Sequence, residues 1–526
     1  MLINSLEFIA FVFIILIAYK IVPKKIKWVI LLIASYIFFI LNSKALTIFL
    51  VISTLTVYFT ALKIGKIEKN AKSKCKEINE KEQKKEIKRL AKRNKKIVLV
   101  IGILINIGML ITLKYSSTFI QELNNLFKTN MTVFKFMLPL GISYYTLQAI
   151  SYIVDVYRGK CEADKNIGKV ALFLSFFPQM VEGPIGRYDR LANQLYEPHE
   201  ITYNNFQSGA ELMLWGYFKK MVIADRVAMY VDAVFADYAC YSGPIIALAI
   251  VGYTLQIYAE FSGGIDIIRG VSELFGIHLD QNFERPFYSR SIDEFWRRWN
   301  ITLGTWLKDY VFYPVSLSKF SMKITLASKK IFKESYMSKI IPSACSLLCV
   351  WICNGFWHGS GIKYIIYGLY YYVIMMLGKI LEPVGKKIIK ILKINTEAWS
   401  YKLWQILRTG IFVCFGMLIF RADTLRASVD MFKSIPKIHD IEMMFNGKMW
   451  SLGGMTSGDW KVLIIATLVF VMVSVLQEHG KKIRETLNKQ NIIFKWIVLI
   501  ALIVSIIVFG IYGEGYNVQS FIYGQF

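Results

Sequence analysis

The sequence predicts an all-α membrane protein with many spans, and three observations carry that prediction. Apolar residues make up 55% of the 526, with a mean hydropathy of +0.43. Apolar blocks of near-spanning length recur from end to end instead of gathering in one segment. Short basic stretches separate them, in a chain whose net charge is +26. A soluble chain of this length would divide into two or more domains joined by polar linkers. No long Pro-, Gly- or Ser-rich linker is present, so residues 1–526 are read as a single membrane domain.

A spanning helix takes about 20 mostly apolar residues. The clear candidates, in order, are Phe8–Val22, Trp28–Leu41, Leu46–Leu62, Ile97–Leu113, Ile245–Ile257, Ile365–Leu377, Ile406–Phe420, Val462–Leu476 and Ile493–Ile511. Phe136–Val154, Val170–Met180, Gly209–Ile223 and Ile340–Phe356 are less clean. The expectation is about 11 helices in the membrane, some short or re-entrant. Met1–Val22 has no basic leader and no small-residue cleavage site, so it is expected to remain as the first span. Lys24, Lys25 and Lys27 follow it, and Lys66–Lys96 is a basic run with interspersed Glu that reads as a solvated helical hairpin. Both belong on the cytoplasmic side by the positive-inside rule, which places the N-terminus outside the cell membrane.

Lys and Arg placed between apolar blocks suit loops facing anionic lipid. They lack the interleaved aromatics of a nucleic-acid surface, so nucleic acid is not expected as a partner. The seven cysteines are an odd number without compact spacing, which argues against a disulfide framework. Cys345, Cys349 and Cys353 stack on one helical face; the alternatives are a metal site and small polarizable residues in a membrane helix, and the second is the expectation, so no metal is expected.

Phe283–Pro314 combines aromatic and charged residues: Phe295, Trp296, Arg297, Arg298, Trp299, Trp306, Lys308, Asp309 and Tyr310. Such a segment suits a membrane interface or a re-entrant element lining a cavity, and it is the expected wall of a site. Of the five histidines, His199, His278, His439 and His479 lie in polar or loop-like surroundings. His358 closes an apolar run within Asn354-Gly-Phe-Trp357-His358-Gly359-Ser-Gly361. An ionisable group at the end of such a helix is costly and therefore a functional candidate. Neutral imidazole can take the proton of a hydroxyl nucleophile near neutral pH. The plainer alternative is an interfacial histidine satisfied beside tryptophan. A Gly-x-Ser-x-Gly elbow, a Walker A loop, a dinucleotide-binding glycine fingerprint and a His-Glu-x-x-His zinc site are all lacking.

Ordered motifs extend from about Leu138 to the C-terminus. They are Pro139-Leu-Gly141-Ile-Ser143-Tyr-Tyr-Thr146 and Phe177-Pro-Gln179-Met-Val-Glu-Gly183-Pro-Ile-Gly-Arg187-Tyr188; then Tyr253 to Gly263, Asn282 to Phe287 and Phe295 to Tyr310; then Trp357-His358-Gly359 and Phe420-Arg421-Ala422. This series resembles the membrane-bound O-acyltransferase family, with core motifs over 138–422. Length and block order are most similar to its bacterial polysaccharide branch, which holds alginate O-acetyltransferases and the D-alanyl transfer proteins of teichoic acid modification. The resemblance implies a ring of transmembrane helices with re-entrant segments around a central tunnel. It implies an acyl donor used on the cytoplasmic side, acetyl-CoA or an acyl-carrier protein as a thioester substrate, with no bound cofactor. The acceptor it implies is an extracellular polysaccharide, reached directly or through a separate extracytoplasmic transferase.

By the same resemblance His358 is the catalytic histidine. The second family position falls at Asn300, where many bacterial members carry histidine. Asparagine cannot act as a base, but its amide can donate to a developing oxyanion; the alternative is a structural hydrogen bond. Gln179, Arg187, Arg297, Trp306, Lys308 and Asp309 are the expected substrate-binding residues, the cations holding phosphates of a coenzyme or carrier arm or anchoring the chain at the interface. Pro314-Val-Ser-Leu-Ser318-Lys319 replaces a stretch that is often glycine-rich in alginate-type members. The aromatic tail Phe521-Ile-Tyr523-Gly-Gln-Phe526 resembles C-termini of that type, and Tyr523 is a candidate acyl relay or a simple interfacial anchor. The reading is therefore a membrane acyltransferase for polysaccharide O-acetylation. D-alanyl transfer to teichoic acid is the nearest alternative, and a non-enzymatic transporter or assembly scaffold is an alternative of another class.

Overall fold

The computed structural model describes residues 1, 3–134, 136–241, 243–437 and 447–512. The chain divides into two compact units, Met1–Ala210 with Ile268–Asp280, and Glu211–Ile267 with Gln281–Phe526. Among the described residues nearly every element is helical, and the only strand-like feature is an isolated antiparallel bridge between Phe283 and Trp299. Eight helical stretches among the described residues are long and apolar enough to cross a membrane. The expected count of about 11 also took in shorter helices, such as Leu6–Ile21, whose 16 residues fall short of a spanning length of about 20.

In the first unit α1 (Leu6–Ile21), α2 (Lys27–Ser43), α3 (Thr47–Glu77), α4 (Lys81–Phe127), α5 (Ile142–Arg158), α6 (Ile167–Ser175) and α7 (Tyr188–Tyr196) follow in order. Polar residues at the edges of apolar runs start several of them: Ser5 accepts from the Phe8 amide, and Asn166 accepts from the Gly168 and Lys169 amides. Phe177 forms the aromatic hub, with ring centroids 5.5 Å from Phe11, 6.1 Å from Phe38 and 6.0 Å from Phe275. α3 and α4 pack side by side, and between them Ser53 donates to Asn106 at 2.6 Å. The basic run Lys66–Lys96 is helical on both sides of a short turn at Ile78–Glu80. Helix α5 begins only at Ile142, later than the apolar run from Phe136, because Pro139 and Gly141 interrupt it.

The second unit is built on the end of α8 (Tyr203–Tyr217), a π-helical turn Phe218–Ala224, α9 (Asp225–Ala236) and α10 (Gly243–Leu274, within which the boundary between the units falls). Then come α11 (Ile292–Arg298), α12 (Ile301–Leu307), a second π-turn Lys308–Phe312, α13 (Tyr313–Ser316), α14 (Lys319–Phe332), α15 (Tyr336–His358), α16 (Ile362–Ile391), α17 (Trp399–Arg421) and α18 (Leu425–Ser434). Helices Ser457–Glu478 and Ile492–Phe509 close the described chain. Ile492–Phe509 buries none of its residues, yet its side chains are almost all apolar. An apolar helix with apolar exposure all round is satisfied by lipid.

Candidate active site

His358 is the last residue of α15 and is 2% exposed. Its ring meets three aromatic rings nearly edge-on, with centroids 4.8 Å from Trp357, 5.5 Å from Tyr367 and 5.2 Å from Phe420. The surrounding glycines explain how it gets there. A Cβ on Gly355 would come 2.5 Å from the Tyr364 carbonyl oxygen, and one on Gly368 would overlap the Trp351 carbonyl. α15 and α16 therefore lie in backbone contact, which delivers Tyr367 to the imidazole. A Cβ on Gly359 would overlap the Tyr364 ring, so the glycine lets that ring pack directly after His358.

The motif Phe420-Arg421-Ala422 ties α17 to this site. Phe420 packs on His358, while Arg421 pairs with Asp232 at 2.8 Å and lies over the rings of Phe235 and Tyr253. Lys363 donates to the Ala422 carbonyl at 2.7 Å. The segment before Asn300 reaches the same region through Trp296. Its ring is 5.0 Å from Trp351, 4.8 Å from Tyr371 and 6.4 Å from Tyr367, which in turn borders His358.

Asn300 is 5% exposed and has left-handed backbone, φ 44° and ψ 56°. It sits at the break between α11 and α12, a break pinned by the Ile301 amide donating to the Asn282 carbonyl and the Thr302 amide donating to Asn282 Oδ1. Asparagine adopts this conformation more readily than most residues. Beside it, Trp299 is buried among Phe283, Phe295 and Tyr258. Trp306 is buried against Tyr310, with centroids 5.1 Å apart. Lys308 and Asp309 open the second π-turn; Lys308 is exposed with its ammonium over the Tyr313 ring, and Asp309 is half-buried. Arg297 is exposed. Its neighbour Arg298 instead bonds Glu478 at 3.0 Å and Glu294 at 2.7 Å, and Arg285 joins the same Glu478 at 2.6 Å.

Gln179 and Arg187 belong to the first unit. Gln179 is buried and braces its own turn: Nε2 donates to the Pro184 carbonyl at 3.0 Å, and its carbonyl accepts from the Gly183 amide at 2.9 Å. Gly141, at φ 65°, packs on that turn so closely that a Cβ would overlap the Met180 carbonyl. The two early motifs thus form one compact feature. Arg187 is buried where α7 begins. Tyr523, the aromatic tail and His439 lie outside the described residues.

The π-turn Phe218–Ala224 and α10 hold a buried charge cluster to which no role attaches from sequence. Lys220 is fully buried, 2.8 Å from both Glu260 and Asp225. Lys219 lies 2.7 Å from Asp266 and 3.0 Å from Ser262. Mutual close approach of Gly216 and Gly263, where either Cβ would come within 2.8 Å of the other's carbonyl oxygen, lets α8 and α10 cross closely enough for these contacts. The signal was a Lys-Lys pair inside the apolar run Trp215–Ile223. The same π-turn and the start of α9 hold the end of the described chain: the Ile511 amide donates to the Met221 carbonyl at 3.0 Å, and Arg226 donates to the Phe509 carbonyl at 2.6 Å. Among the described residues no group of three or more His, Cys, Asp or Glu is arranged to hold a metal.

Among the described residues the chain is built of helices, eight stretches of which are long and apolar enough to span, and this defines a polytopic membrane protein. The chain belongs to the membrane-bound O-acyltransferase family, whose profile matches residues 163–332. It is 31% identical to the probable alginate O-acetylase AlgI of Pseudomonas syringae pv. tomato over 70% of this chain and 65% of that protein. It is 30% identical to the probable alginate O-acetylase AlgI of Pseudomonas putida over 72% of this chain and 70% of that protein. It is 31% identical to the teichoic acid D-alanyltransferase of Bacillus subtilis over 53% of this chain and 68% of that protein. The match with the Pseudomonas syringae protein thus covers slightly less than two thirds of that protein's length.

Proposed function

We propose that this protein is a membrane-bound O-acyltransferase that moves an acetyl group from a cytoplasmic thioester donor across the cell membrane for O-acetylation of an extracellular polysaccharide. The observation that carries the reading is His358, buried in an aromatic enclosure at the end of α15 in a chain of this family. The names of the two Pseudomonas relatives favour acetyl as the group transferred. The N-terminus is assigned to the outside and the Lys66–Lys96 hairpin to the cytoplasm by the positive-inside rule.

In this reading an imidazole nitrogen of His358 takes the proton of an acceptor hydroxyl. The hydroxyl oxygen attacks the thioester carbonyl, a C–O bond forms and the C–S bond breaks. The sulfur leaves as a thiol, recovering the proton from the imidazolium. The Asn300 amide donates to the carbonyl oxygen as charge develops there. The single base plus polar helper replaces a two-histidine scheme. In the second unit Lys308 and Arg297 are assigned to donor phosphates and Trp306 and Asp309 to further substrate contacts; in the first unit Arg187 and Gln179 are assigned to substrate binding. The first acceptor is either the polysaccharide or the phenol of Tyr523, from which a separate extracytoplasmic transferase takes the group; an acyl adduct on Tyr523 in the purified protein, read by mass spectrometry under turnover, tests the relay. No cofactor is needed beyond the donor itself.

The His358→Ala variant is expected to make no acyl ester while reaching the normal amount in the membrane. Full ester formation in that variant would sink the mechanism and favour a transporter or scaffold. The similarity to a teichoic acid D-alanyltransferase supports a second reading, D-alanyl transfer. Analysis of the envelope polymer for acetyl against D-alanyl ester separates the two.

A further inference from the structure

Between Lys66 and Lys96 the chain carries fourteen Lys and Arg against five Glu, a local net charge of +9. α3 and α4 run into this stretch as two paired helices. Ile67, Glu68, Ala71 and Cys75 of α3 and Lys84, Ile87, Ala91 and Lys95 of α4 are its partly buried positions, spaced mostly three and four apart as in an antiparallel helical seam. Lys95 pairs with Glu68 across that seam at 2.5 Å. Apart from Lys84 and Lys95, the cations of the stretch are exposed. Lys81, Lys85, Lys88, Lys92 and Lys96 recur at four-, three-, four- and four-residue spacing, so they line one face of α4. All five are exposed, and none forms an ion pair among the described residues. The stripe is about 22 Å long.

Helix continuity sets where this charge lies. The apolar part of α3 gives out after Ile64, and that of α4 begins at Ile97. The intervening helices extend roughly 18 to 24 Å past the apolar spans. Charge interactions between exposed groups fade over about 8 Å at physiological salt. The outer half of the stripe is therefore beyond the reach of lipid headgroups, and the stretch has no aromatic residue to insert at a membrane surface or stack on a base. Its cations diverge over a convex surface, which does not close around a small phosphate. What fits is an extended acidic face on a soluble macromolecule.

We propose that this stripe is the docking surface for an acidic, soluble carrier protein that brings the acyl thioester to the enzyme. The nature of the cargo rests on the acyl-transfer reading above; the surface itself rests on the charge and geometry of the stalk. The test uses the full-length protein in nanodiscs of phosphatidylcholine, with or without phosphatidylglycerol, and purified bacterial holo and acetylated acyl carrier protein as the probe. In one variant all five lysines become Gln, in a second all five become Glu, and His358→Ala serves as control.

The expected result is carrier binding that weakens with added salt, is roughly tenfold weaker in the Gln variant and is lost in the Glu variant. In turnover the Gln variant should raise KM for the acetylated carrier at unchanged kcat and leave turnover of acetyl-CoA alone. His358→Ala should bind the carrier like the parent protein. Equal carrier affinity in parent and Gln variant overturns the proposal. So does a defect confined to phosphatidylglycerol nanodiscs, which would make the stalk a lipid anchor. Full ester formation by His358→Ala would instead defeat the acyl-transfer reading, whatever the stripe does.

Discussion

His358 and Asn300 have different physical standing. His358 was conspicuous because an ionisable group beside an apolar run needs a reason to be there, and the structure surrounds it with Trp357, Tyr367 and Phe420. Asn300 carries two possible reasons at once: its amide and its left-handed backbone at φ 44°. Substitution separates them. Asn300→Ala loses the amide and is strained by about 1 to 2 kcal/mol, whereas Asn300→Gly loses the amide without strain. If the amide stabilises developing charge, both variants should lose about a hundredfold in acyl transfer, while only Asn300→Ala should unfold at lower temperature in detergent. An Asn300→Gly protein with unchanged ester formation would reduce the residue to a turn former. The adjacent pair Arg297 and Arg298 shows a limit of reading at this scale. Both are the same residue type in one motif, yet only Arg298 faces Glu478 and Glu294. Which of the two turns inward depends on where α11 lies against the helix Ser457–Glu478, and that is not written in either residue.

At the scale of elements, most spanning helices were legible because lipid demands about 20 apolar residues and a backbone that satisfies its own hydrogen bonds. The contacts that lock one helix to another were less legible. Lys220 meets Glu260 across 40 positions of sequence, and the meeting depends on Gly216 and Gly263 letting α8 and α10 touch. A fully buried lysine between two carboxylates is costly to break from one side. Lys220→Met should destabilise the protein by about 3 to 5 kcal/mol because it strands Glu260 and Asp225. Adding Glu260→Gln should restore part of the loss. Thermal unfolding of the detergent-solubilised variants measures both, and a Lys220→Met protein as stable as the parent would show that the cluster does not hold the helices together.

For the whole molecule, the early motifs around Gly141, Gln179 and Arg187 lie in one compact unit, and His358, Asn300, Trp306 and Lys308 lie in the other. The boundary between the units falls inside the helices α8 and α10 and not at a linker. Orientation is a property of the whole chain as well, since one loop assigned to a side assigns the rest. Ser73 is exposed near the tip of the stalk. Ser73→Cys in a background without the seven native cysteines should react with a membrane-impermeant maleimide in inverted vesicles but not in intact cells. Labelling of intact cells would reverse the topology and place the N-terminus inside.

The sequence by itself determined the class of this protein: a helical, multi-pass membrane chain with ordered acyltransferase motifs and a histidine that its surroundings single out. Those properties follow from local composition, because insertion in lipid is decided segment by segment. Only the tertiary structure decided which polar residues meet. Burying Lys220, Arg298 or Arg421 requires a partner within hydrogen-bond reach, and Glu260, Glu478 and Asp232 come into reach only when particular helices cross. The aromatic enclosure of His358 has the same origin. It is assembled from α15, α16 and α17 by glycines whose one contribution is the absence of a side chain.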